Sequence, residues 1–106
     1  METYTTGAWT VREGAEEAFV EDWRAFAEWA SAMPGAGTLR LTRDLADRSR
    51  FVSFAPWDGI EVMRAWKQTP EFAERIARVE RHTTAFRAAE VELVVAVKGA
   101  GDDVAA

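Results

Sequence analysis

The chain has 106 residues, no cysteine, a single histidine, and 13 basic against 18 acidic side chains, for a formal charge of −5. That length makes one domain; the missing thiols exclude disulfide frameworks, zinc ribbons, iron–sulfur clusters and thiol catalysis, one imidazole does not build a metal site, and an acidic chain is a poor match for a phosphate backbone. No apolar run is long enough to span a membrane and no charged-then-apolar leader opens the chain, so a cytoplasmic protein with neither nucleic-acid nor membrane partner is expected.

Residues 4–12 place Gly7, Trp9 and Val11 on one face and Ala8 and Thr10 on the other. Thr, Trp and Val favour strands, so this is the first strand. Gly14 breaks it. From Ala15 to Met33 the period becomes helical, with Phe19, Trp23, Phe26, Ala27 and Ala30 on one stripe. Glu16 and Glu17 fall in the first turn, where the helix dipole favours anions. Met33-Pro34-Gly35 ends the helix, and Trp29 lies a quarter turn off its stripe.

Residues 37–45 alternate again, with Leu39 and Leu41 inward. A polar turn, Asp44 to Ser49, leads to a third strand, Arg50 to Trp57, making a hairpin. Pro56 limits how far that strand pairs. Asp58 is expected to cap a short helix from Gly59 to Gln68 with Ile60, Val62, Met63 and Trp66 inside. Thr69-Pro70 starts another helix, Thr as N-cap and Pro at N1, burying Phe72, Ile76 and Val79. Glu71, Glu74 and Glu80 alternate there with Arg75, Arg78 and Arg81, the pattern of a solvated face. Thr83 to Ala89 reads as a connection, Val91 to Val97 as the last strand, and residues 99–106 as a frayed tail.

The order β-α-β-β-α-β is that of a ferredoxin-like α+β unit over residues 1–98. The third strand (Phe51, Val52) and the last (Val94, Val95) are apolar on both faces. A single sheet with one wet face would alternate cleanly, so a second copy of the chain is expected to cover the other face.

The run Arg50-Phe51-Val52-Ser53-Phe54-Ala55-Pro56-Trp57-Asp58-Gly59 followed by Trp66-Lys67-Gln68-Thr69-Pro70-Glu71-Phe72 resembles the antibiotic biosynthesis monooxygenase family. The resemblance spans about residues 5–98. It implies a homodimeric α+β barrel, two ferredoxin-like subunits with sheets facing, and activity as a cofactor-independent monooxygenase on an aromatic, polyketide or quinol-like small molecule, with no cofactor and no metal. It also matches Trp66 to a Trp of the haem-degrading and polyketide-oxidising branches. Gly7 stands where the haem branch has an Asn and Ile76 where it has its axial His; Val62 and Phe72 stand where the polyketide branch has an amide and a phenol.

Cofactor-free oxygenation needs a dry cavity, a flat stacking surface and a proton acceptor. Trp9, Trp23, Trp66 and Phe72 sit on elements that face one another in this topology and are the expected substrate-binding side chains. His82 is the candidate base, since its ordinary pKa lies near neutrality; the plainer alternative is a helix-end His opposing the dipole. Tyr4, Arg40, Arg43 and Ser53 are further polar groups without a motif. The alternative function is a non-catalytic dimer that binds or senses a hydrophobic small molecule, with haem binding or degradation third.

Overall fold

The computed structural model describes residues 2–103. In chain order it holds β1 (Thr3–Val11), α1 (Glu16–Ser31), β2 (Arg40–Arg43), β3 (Arg50–Trp57), α2 (Ile60–Lys67), α3 (Pro70–Glu80), β4 (Thr83–Glu92) and a 3-10 turn, Ala100–Asp103. The strands form one antiparallel sheet in the order β2-β3-β1-β4. This is the ferredoxin-like α+β arrangement expected from the element order. Of the tail expected over 99–106, residues 104–106 lie outside the described residues.

The helical stripe of α1 buries Phe19, Trp23, Phe26 and Ala30. They meet Trp9 and Val11 of β1, Phe51 and Trp57 of β3, Met63 and Trp66 of α2 and Val79 of α3 in a single core. Alternation along β3 is strict, with Phe51, Ser53, Ala55 and Trp57 buried toward the helices. The Pro56 carbonyl accepts the Gly37 N–H at 2.8 Å. The missing Pro56 N–H therefore faces the same side, where β2 has already ended opposite Phe54.

Three local expectations are corrected. The last strand is Thr83–Glu92, not Val91 to Val97. The expected connection is in fact the strand, pairing with β1 from Thr3↔Glu92 to Val11↔Thr83. What draws it there is Phe86, opposite Trp9 and stacked on it at 3.8 Å between ring centroids and 14° between planes. That contact outweighs the weak strand preference of the alanines around it. After Leu93 donates to the Glu2 carbonyl, the chain leaves the sheet, and Val94, Val95 and Val97 are 80%, 72% and 86% exposed. The apolar second face thus rests on Val52 and Val91, which are 49% and 43% exposed, and not on Val94 and Val95.

Asp58 does not cap α2. Gly59, at φ 108°, holds the cap position, and no side chain caps the helix. Val62, expected inside, is exposed, because an eight-residue helix buries only the narrow edge of Met63 and Trp66. Thr69 does cap α3, its hydroxyl accepting the Phe72 N–H at 3.1 Å.

The charged face of α3 divides. Glu71–Arg75 and Glu74–Arg78 pair at i,i+4, at 3.0 and 2.7 Å. Arg81 and His82 instead reach α1. Asp22 Oδ2 lies 2.5 Å from His82 Nε2 and accepts from Arg81 Nη2 at 3.0 Å. The His82 hydrogen bond, with Arg81 adding to it, holds the Asp22 carboxyl below its ordinary pKa. A depressed carboxylate stabilises the fold above its unfolded pKa, and the stabilisation is lost as pH falls from about 4 through the folded value. Asp22→Asn is therefore expected to cost roughly 1 kcal/mol at pH 7, the range of a partly exposed ion pair. The difference from the parent should shrink as pH falls below about 4, where the unfolded carboxyl begins to take up its proton. Urea melts at about pH 7 and below about pH 4 measure it, and an equal deficit at both would contradict the assignment.

Candidate functional site

Between the sheet and the helices lies a cavity of about 380 Å³. This is within the size range of small-molecule sites. Its floor is β1 and β3: Gly7 and Trp9 beside Ser53 and Ala55. Trp23 and Phe26 of α1, Trp66 of α2, and Phe72 and Ile76 of α3 form the walls, and Phe86 closes one end. The four side chains expected to bind substrate, Trp9, Trp23, Trp66 and Phe72, all line it.

Gly7 keeps the floor open. A Cβ there would stand 2.8 Å from both Ser53 Oγ and Trp9 Nε1. The glycine lets Trp9 Nε1 donate to Ser53 Oγ at 2.9 Å, locking the indole plane against Phe86. Ser53, noted in the sequence only as polar, is thus the anchor of Trp9.

Trp66 is the hub of the opposite wall. Its ring contacts Trp57 and Phe72 at 4.7 Å, Trp29 at 5.8 Å and Phe26 at 5.9 Å. Trp57 places its Nε1 on Thr5 Oγ1 at 3.1 Å. Trp66 Nε1 is buried and has no hydrogen-bond partner in the described structure. A buried donor left without an acceptor costs about 1–3 kcal/mol, and it stands out against the Trp9 and Trp57 indoles, which are both satisfied.

His82 does not line the cavity; it faces Asp22 at the far end of α3. Two charged groups that sequence reasoning assigned no role do line it, Lys67 at the end of α2 and Glu80 at the end of α3. The sequence pattern places Glu80 on the solvated face of α3. The signal that marks it is spacing: Phe72, Ile76 and Glu80 follow one another at i+4 along the cavity side of α3. Among the described residues, no three His, Cys, Asp or Glu side chains converge to hold a metal ion. Nor do the lining residues suit haem: Ile76 stands on the wall and no imidazole reaches it. No helix among the described residues is long and apolar enough to cross a membrane.

The family model for antibiotic biosynthesis monooxygenases matches residues 4–78. No curated protein sequence matches. Among solved structures, the chain is similar to SnoaB, a cofactor-independent oxygenase from Streptomyces nogalater. Identity is 18%, over 92% of this chain and 98% of that one, with a TM-score of 0.82. It is also similar to a Nitrosomonas europaea protein assigned as an antibiotic biosynthesis monooxygenase, at 19% identity over 88% and 90% of the two chains and a TM-score of 0.77. A Deinococcus radiodurans protein with the same assignment superimposes with a TM-score of 0.79, at 14% identity over 91% of this chain and 96% of that one. At these identities the likenesses establish the fold.

Proposed function

The chain belongs to the antibiotic biosynthesis monooxygenase family, and we propose that it is a cofactor-independent monooxygenase of a flat aromatic, polyketide-like or quinol-like small molecule. The observation that carries this reading is the mostly apolar cavity that Trp9, Trp23, Trp66 and Phe72 line together. The substrate's rings lie against Trp66 and Phe72.

The chemistry asks little else of the protein. For an anthrone-type substrate, loss of a proton from the acidic CH₂ gives an enolate. The enolate passes one electron to O₂, and the radical and superoxide combine to a peroxide. Protonation and loss of water leave a carbonyl: one oxygen atom enters the quinone and the other leaves as water. Removing water from the cavity and fixing the ring plane are the contributions of Trp9, Trp23, Trp66 and Phe72. In this reading the proton acceptor is Glu80, the carboxylate in the lining, and not His82. Oxygen uptake with a panel of anthrones, naphthols and quinols, without flavin, metal or nicotinamide, tests it. Uptake above the buffer rate that falls in Trp66→Ala supports it. Uptake that never exceeds autoxidation favours the alternative, a non-catalytic binding dimer, which the small number of polar groups in the lining also suits.

A second copy on the outer sheet face belongs to the same proposal. Val52 and Val91 stand open on that face. Sedimentation at micromolar concentration should give twice the 11.8 kDa chain mass. A species at the single-chain mass would contradict the dimer.

A further inference from the structure

The cavity lining is mostly apolar, with Thr5, Thr6 and Ser53 on the sheet, and it holds two charged side chains of opposite sign, Lys67 and Glu80. At the Trp66 end, Lys67 Nζ lies 3.5 Å from Glu90 Oε2. Glu90 already accepts a shorter contact, 3.2 Å, from Arg64 Nε on its other oxygen. Glu90 sits on the cavity side of the sheet, opposite Thr5 of β1. Burial pushes its carboxyl up, yet the hydrogen bond from Arg64 and the charges of Lys67 and Arg64 outweigh that and hold it below its ordinary pKa. Two cations thus share one carboxylate, which leaves one positive charge uncancelled beside the cavity. Lys67 has the less exposed of the two cationic side chains, 23% against 58% for Arg64, and it is the one in the lining. At the other end stands Glu80, eight residues beyond Phe72 on α3 and so about 12 Å away along the helix.

We propose that Lys67 makes this cavity selective for planar aromatic ligands bearing an anionic oxygen, a carboxylate or an ionised phenol or enol, seated at Lys67 with the rings over Trp66 and Phe72. Glu80 repels the same oxygen and so fixes which way round the ligand lies. The inference rests on the proposed cavity as a ligand site but not on its oxygenase activity.

Two matched pairs of probes test it by calorimetry at neutral pH: 2-naphthoate against 2-naphthamide, and 4-nitro-1-naphtholate against its methyl ether. In the parent protein the anion of at least one pair should bind about tenfold more tightly than its neutral partner. Which pair shows the preference tells carboxylate from phenolate. Lys67→Met should level the pair, and Lys67→Arg should keep the preference. Glu90→Gln should keep or increase it, since a competitor for Lys67 is gone. Equal affinities within both pairs in the parent, or a preference that survives in Lys67→Met, would overturn the proposal, as would the absence of saturable binding by any of the four probes. An intact preference without oxygen uptake leaves this inference standing and removes the oxygenase reading; the reverse result does the opposite.

Discussion

Trp66→Phe is expected to lower turnover about tenfold or more while leaving the fold at least as stable as the parent. Both halves of that result come from exchanging the indole for a smaller ring. The substitution keeps an aromatic ring against Trp57, Phe72 and Phe26 but deletes the indole N–H that has no partner. Losing an unsatisfied buried donor relieves about 1–3 kcal/mol, which offsets the smaller ring's weaker packing. The smaller ring also removes part of the flat surface against which the substrate stacks, and lost positioning of that kind is worth roughly tenfold or more. Trp66→Ala behaves differently: it empties the hub and should cost about 3–5 kcal/mol, a large part of a small domain's stability. Thermal melts and initial rates on the two variants separate the effects. If Trp66→Phe loses stability but keeps full turnover, Trp66 is core packing and nothing more.

The second large effect is expected at Gly7. Gly7→Val forces side-chain atoms into the space that Ser53 Oγ and Trp9 Nε1 would leave only 2.8 Å from a Cβ. Ser53 can turn away, but the Trp9 indole is held by its stack on Phe86 at 3.8 Å and its contact with Phe19 at 5.4 Å. The protein must therefore lose the Trp9–Ser53 hydrogen bond and shift a packed ring. Overpacking and the lost bond together cost about 2–4 kcal/mol. The floor of the cavity closes at the same time, so ligand binding should vanish even where the variant stays folded. Gly7→Ala in a Ser53→Ala background removes one of the two contacts and should recover part of the loss. The denaturant midpoint at constant slope reads the stability; a Gly7→Val midpoint equal to the parent's would refute the close approach.

Where periodicity and punctuation agree, the sequence is a good guide to this fold. The α1 stripe follows from helical spacing, the α3 start from Thr69 as N-cap with Pro70 behind it, and the β3 bounds from the turn residues on either side. The aromatic walls of the cavity were legible too, because Trp9, Trp23, Trp66 and Phe72 lie on buried stripes of elements whose order implies that they meet. The last strand was not. Val91 to Val97 has the stronger strand preference, but β1 pairs along its whole length with the stretch that brings Phe86 onto Trp9, a contact no local window contains. Lys67 and Glu80 escaped notice for a related reason. Each is a charged residue near a helix end, the usual setting of a solvated side chain, and only the tertiary meeting of α2, α3 and β4 turns them toward the cavity. His82 shows the converse: its chemistry drew attention, while its place at the end of α3 gave it to Asp22.

The central claim, that this cavity oxygenates a planar substrate with O₂ and the protein's own side chains, is most directly tested by isotope labelling. An anthrone found active in the uptake assay is turned over under ¹⁸O₂ with metal-depleted, flavin-free protein, and the quinone is analysed by mass spectrometry. The account predicts one ¹⁸O atom in the new carbonyl, at a rate that falls in Trp66→Phe; a quinone whose new oxygen comes from water, or one formed equally fast by Trp66→Phe, would contradict it.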